Sequence, residues 1–164
     1  MRKFIACLLA FALMWDAAAL AAVRGKSARY VGGTVSLYKE AVDGTWDLED
    51  DAVVFTSKKK GHAKLTIPYS KIDTLEYGQK VGRRVGGALA GALIVSPAFL
   101  LLLFSKKRKH FLTIGFKDDT DKLQGAVFEL AKSIVPESLT VLETKTGKKV
   151  EYESEEAQKH AQKK

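Results

Sequence analysis

Acid–base or metal chemistry needs titratable side chains at recurring short spacings, and this 164-residue chain offers few of them. Its three histidines are His62, His110 and His160. They stand in a lysine-rich loop tip, beside a basic run and in a polar tail. None lies at metal-ligand spacing from another His, Cys or carboxylate. Carboxylates cluster at Asp50-Asp51 and at Asp118-Asp119-Thr120-Asp121. The second group lacks the D-x-D-x-D-G spacing and closing Glu of a calcium loop, so both read as turns. No Gly-x-Ser-x-Gly elbow or P-loop occurs, and the glycines of VGRRVGG precede an apolar run rather than a phosphate-binding helix. Trp46, Tyr69 and Tyr77 read as core or strand-face aromatics rather than a ligand cage. The expectation is a protein that is not an enzyme and takes no cofactor or metal. A hydrolase whose titratable groups converge only in three dimensions is the rival from another class.

The chemistry the residues do support is with lipid. Val85–Phe104, VGGALAGALIVSPAFLLLLF, is uncharged, and at about 1.5 Å per residue a helix of this run would match the roughly 30 Å hydrocarbon core of a bilayer. The side chains expected to enter the membrane are Val85, Leu89, Leu93, Ile94, Val95, Phe99, Leu100, Leu101, Leu102, Leu103 and Phe104. On an insertion scale they contribute roughly −5 kcal/mol, reduced by Gly86, Gly87, Gly91, Ser96 and Pro97. Lys80, Arg83 and Arg84 precede the run, and Lys106, Lys107, Arg108 and Lys109 follow it. Beside an anionic bilayer each is worth about 1 kcal/mol, and seven cations with an apolar wedge form a two-signal attachment. As a bland alternative, the cations are a solubilising collar. Gly87 and Gly91, at GxxxG spacing, suit close helix approach, hence a homo-oligomer or an envelope protein partner.

Composition restricts the compartment. Arg2-Lys3, the apolar Phe4–Trp15 and Ala17–Ala22 read as a secretory signal, residues 1–21, cleaved after Ala19-Leu20-Ala21. Cleavage removes Arg2, Lys3 and Asp16 and lowers the net charge from +8 to +7. It also removes Cys7, the single cysteine, so an exported domain without disulfides must rely on its core. Export and the lack of aromatic–basic interleaving set nucleic acid aside despite the positive charge. The expected location is periplasmic or extracytoplasmic, at the membrane.

The rest of the chain must position these features, and it reads mainly as strands. After a linker at 22–30, alternation predicts strands at Gly33–Lys39 with Val35 and Leu37 inward, and at Thr45–Glu49 with Trp46 and Leu48 inward; Asp43-Gly44 is the turn between them. Further strands follow at Ala52–Ser57, Ala63–Pro68 and Ser70–Gln79. Beyond the apolar run, His110–Lys117 and Gln124–Leu130 alternate again. Ser133–Thr146 is predicted helical, with Pro136 in the first turn and Gly147 as C-cap. Residues 149–164 read as a charged flexible tail.

Seven strands and a closing helix form the order of a pleckstrin-homology-like domain. LTIPYSKIDTLEYG resembles the "IPy..I..v" segment of GRAM and bacterial pleckstrin-homology-like domains, and HFLTIGFKDD resembles their next hairpin. LEYGQKVGRRVG, SKKRKHFLTIGF and TGKKVEYE resemble stretches of small exported bacterial proteins of unassigned function. The resemblance implies a mainly β (α+β) fold: a partly open antiparallel barrel of about seven strands with a C-terminal helix, here carrying an apolar helical insertion. It also implies binding of lipid headgroups or peptides. The loop where many relatives clamp phosphates is Lys39–Gly44 here, with two acids and one base, so a headgroup site of the usual kind is not expected.

A single membrane span would place the strands before and after the run on opposite sides, and neither half looks self-sufficient. Both flanks are positive, which leaves the positive-inside rule little asymmetry, and Pro97 can break the run into two arms. The expected organisation is therefore a domain at 31–148 interrupted at 82–105 by an insertion that dips into one leaflet. The alternative is a single-span component of an envelope complex.

Overall fold

The computed structural model describes residues 23–59, 61, 64–79 and 109–162. Strands β1 (Lys26–Gly33), β2 (Val42–Leu48), β3 (Ala52–Ser57) and β4 (Leu65–Pro68) form an antiparallel meander. A 3-10 turn at Tyr69–Lys71 leads into β5 (Ile72–Gly78), followed by β6 (His110–Lys117) and β7 (Leu123–Leu130). A second 3-10 turn, Lys132–Ile134, opens α1 (Val135–Thr146); β8 (Val150–Tyr152) and α2 (Glu155–Gln162) complete the order. One eight-stranded sheet results, ordered β4-β3-β2-β1-β7-β6-β5-β8. All neighbours are antiparallel except β5 and β8, and β4 and β8 are its edges, so the sheet is mixed and not closed. The mainly β expectation holds.

Alternation builds the inner face. In β2, Val42, Gly44, Trp46 and Leu48 are buried; in β4, Leu65 and Ile67; in β7, Ala126, Phe128 and Leu130. In β5 the buried Ile72 and Leu75 are three apart because the register shifts between Ile72 and Thr74. Trp46, Phe55, Phe128, Tyr30 and Tyr38 form an aromatic centre, with Trp46 and Phe128 ring centroids 4.9 Å apart. Helix α1 covers it with Val135, Leu139 and Leu142, and Gly147 at φ 67° caps the helix by donating its N–H to the Glu143 carbonyl.

Four expectations are corrected. The first strand is not Gly33–Lys39: β1 ends at Gly33, where any Cβ would strike the Gly125 carbonyl, and residues beyond it turn. Tyr38 is the buried residue there and Leu37 is exposed, the reverse of the expected phase. The linker at 22–30 is instead mostly β1, preceded by a fully buried Val23 whose carbonyl accepts from the Leu48 N–H. Asp43-Gly44 is no turn. It lies inside β2, opposite Arg29 and Ala28, and Gly44 is required because a Cβ would sit 2.4 Å from the Phe55 ring. The tail at 149–164 is ordered through residue 162: β8 pairs with β5, and α2 buries Ala157 and Ala161. The expected signal at 1–21 and insertion at 82–105 lie outside the described residues.

Candidate functional site

The site singled out by sequence is the connection between β5 and β6, and its geometry begins with their register. The two strands pair antiparallel from Ile72↔Phe116 to Gly78↔Phe111. Gln79 and Lys109 therefore leave the sheet from neighbouring strands, and residues 80–108 begin and end at one place.

Polar contacts fix this base. The Tyr77 hydroxyl meets His110 Nδ1 at 2.5 Å across the two strands, with the rings stacked at 6.1 Å. Burial, with a smaller push from neighbouring Tyr152, raises the Tyr77 phenol to about 12. It keeps its proton at neutral pH and shares this hydrogen bond with the imidazole. Just after β8, the Glu153 carboxylate accepts the Gln79 N–H at 3.0 Å, and the Glu153 N–H donates to the Tyr77 carbonyl at 2.9 Å. On the other side the Lys109 ammonium donates to the Glu129 carboxylate at 2.9 Å, both side chains about one quarter exposed.

Of the residues expected to touch membrane, Val85, Leu89, Leu93, Ile94, Val95, Phe99, Leu100, Leu101, Leu102, Leu103, Phe104, Lys80, Arg83, Arg84, Lys106, Lys107 and Arg108 lie outside the described residues. Lys109 is described, and its charge is matched by Glu129 within the domain. Sequence reasoning missed Glu129 and Glu153, since one sits mid-strand and the other in what read as tail. Tyr77 was legible as a strand-face aromatic, but not as the partner of His110.

A second polar cluster is a turn. Asp118 Oδ1 accepts from the Thr120 hydroxyl, Thr120 N–H and Lys122 N–H, and Oδ2 accepts from the Gln124 amide. These bonds, those from the Thr120 hydroxyl and Gln124 foremost, hold its carboxyl well below the usual carboxylate range, as an Asp turn requires. Among the described residues no group of three His, Cys, Asp or Glu could hold a metal, and no helix is long and apolar enough to cross a membrane. Neither the protein-family models nor the curated proteins yield a match to this chain.

Proposed function

We propose that this chain is an exported, non-enzymatic binding or scaffold module of the bacterial envelope, held at anionic membrane by residues 82–105 and their basic flanks. The observation that carries the reading is the β5–β6 register. Paired strands lie about 4.8 Å apart, whereas a single span would hold their ends about 30 Å apart across hydrocarbon. The pairing supports a segment that enters and leaves one face, and it weighs against the single-span alternative. Eleven apolar side chains then supply the wedge, while Lys80, Arg83, Arg84, Lys106, Lys107 and Arg108 supply attraction to anionic headgroups.

The same reading takes the domain as pleckstrin-homology-like. What supports it is the strand order β4-β3-β2-β1-β7-β6-β5 with a helix directly after β7 and packed on the core. Strand β8 and helix α2 are additions to that plan. Partners are anionic lipid and an envelope protein or a second copy, met through Gly87 and Gly91.

Sidedness tests the proposal. With Cys7 replaced, cysteines introduced by Lys60→Cys and Lys149→Cys are expected to react with an impermeant maleimide from the same side in spheroplasts. Labelling from opposite sides sinks the reading.

A further inference from the structure

At the end of β5 remote from the 80–108 connection, a cleft of about 290 Å³ opens between the Tyr69–Lys71 turn, the start of β5, the end of β6 and the last turn of α1. At about 3.3 Å per strand residue it lies about 20 Å along β5 from Gly78. Lys71, Lys117, Lys145 and Lys148 converge on it from four different segments, with Asp73 and Asp121 also in its walls.

Their commitments differ. Lys148 pairs with Asp73 at 3.5 Å, and Lys71 pairs at 3.2 Å with Asp119, whose side chain is fully exposed, so that both bridges are weak. Lys145 donates to the Asp50 carbonyl at 3.2 Å, a neutral acceptor, and is in no ion pair among the described residues. The Lys117 ammonium, the Ser70 hydroxyl and the Asp121 carboxylate have no partner among the described residues. Cations near a helix C-terminus complement its dipole, which accounts for Lys145 and Lys148. It does not account for Lys117 on β6 or Lys71 on the turn.

We infer that this cleft binds a phosphate monoester on a small soluble ligand. A monoester carries about −1.5 to −2 at neutral pH and three strong acceptor oxygens, which match the donors of Lys117, Lys145 and Ser70. The volume is at the low end for small-ligand sites, about 300–1,000 Å³, and fits a phosphate with a sugar- or glycerol-sized group. A lipid headgroup offers the same phosphate chemistry, but the cleft sits at the far end of β5 from the apolar segment. The inference does not depend on how that segment meets the membrane.

Calorimetric titration of the full chain with glycerol phosphate at low ionic strength is expected to give a saturable one-site isotherm that weakens with salt. Lys117→Ala/Lys145→Ala is expected to weaken binding by about tenfold or more. Asp121→Asn, a residue type that tolerates the φ of 59° found there, removes the opposing charge and is expected to tighten it. Lys26→Ala, at an exposed residue that opens β1, leaves it unchanged. Sedimentation with phosphatidylglycerol vesicles separates the sources, the double variant being expected to bind them as the parent does. A parent chain without a saturable isotherm overturns the inference. So does a folded double variant with parental affinity, or one that loses vesicle binding.

Discussion

Replacing residues 80–109 by Asn-Gly should leave a folded and slightly more stable domain. The perturbation follows from the register: Gly78↔Phe111 is the last pair, so Gln79 and His110 stand opposite each other, and Asn-Gly is a two-residue turn that suits the strand twist. Shortening a roughly 30-residue connection to two residues is about four halvings, each returning about 0.6 kcal/mol of closure entropy, or about 2.4 kcal/mol. Against this stands the loss of the Lys109–Glu129 pair, about 1 kcal/mol for groups still partly in water. The Tyr77–His110 and Gln79–Glu153 bonds survive, since all four residues remain. The net expectation is a gain of about 1 kcal/mol in urea unfolding with an unchanged dependence on denaturant. In parallel, carbonate should extract the variant completely, whereas the parent stays in the membrane pellet. A variant that loses cooperativity, or more than about 2 kcal/mol, would show that residues 80–109 help build the core and would refute the reasoning.

Two further outcomes rest on the core. Gly44→Ala forces a methyl to within 2.4 Å of the Phe55 ring and 2.5 Å of the Thr56 carbonyl, and should cost about 1–3 kcal/mol in urea unfolding; a neutral result would mean the β2–β3 register is wrong. Burial is the main cause that raises the phenol pKa of all five tyrosines, with Tyr69 and Tyr77 at about 12. A folded value above the unfolded value of about 10 makes this contribution complete below pH 10 and lost as pH rises toward 12. Tyrosinate absorbance should therefore appear late and together with unfolding, and full ionisation near pH 10 in a still-folded chain would contradict the buried placement.

What was legible in the sequence followed from the strength of local periodicity. His110–Lys117 was read to the residue because its apolar run is bounded by a basic stretch and an Asp turn. Gly147 announced its helix end because only a left-handed residue fits there. Strand β1 was missed because KSARYVGG buries chiefly Ala28, Tyr30 and Val31, too few to alternate visibly. Asp-Gly signals a turn in isolation, but at Gly44 the missing side chain makes room for the Phe55 ring, a tertiary demand with no local trace. In α2 the buried residues among those described are two alanines four apart, and β8 is three residues long, so neither rises above polar background. The candidate site was half legible. Its apolar segment is a property of composition, whereas the Tyr77–His110, Gln79–Glu153 and Lys109–Glu129 contacts join residues 20 or more positions apart.

The paired ends also change what the basic flanks mean. Read along the chain, positive residues on both sides of an apolar run leave no asymmetry to orient a span. Read on the sheet, Lys80 follows Gln79 and Arg108 precedes Lys109 at the mouths of neighbouring strands, so the two flanks start from one point. Like charges so placed repel one another, and a domain that gathers them needs a counter-charge. Glu129 answers Lys109. On the proposed function, an anionic leaflet supplies closely spaced counter-charge at the depth where an apolar hairpin would enter. Symmetry that defeats a rule for spanning helices thus becomes, once β5 and β6 are paired, an argument for one-sided attachment.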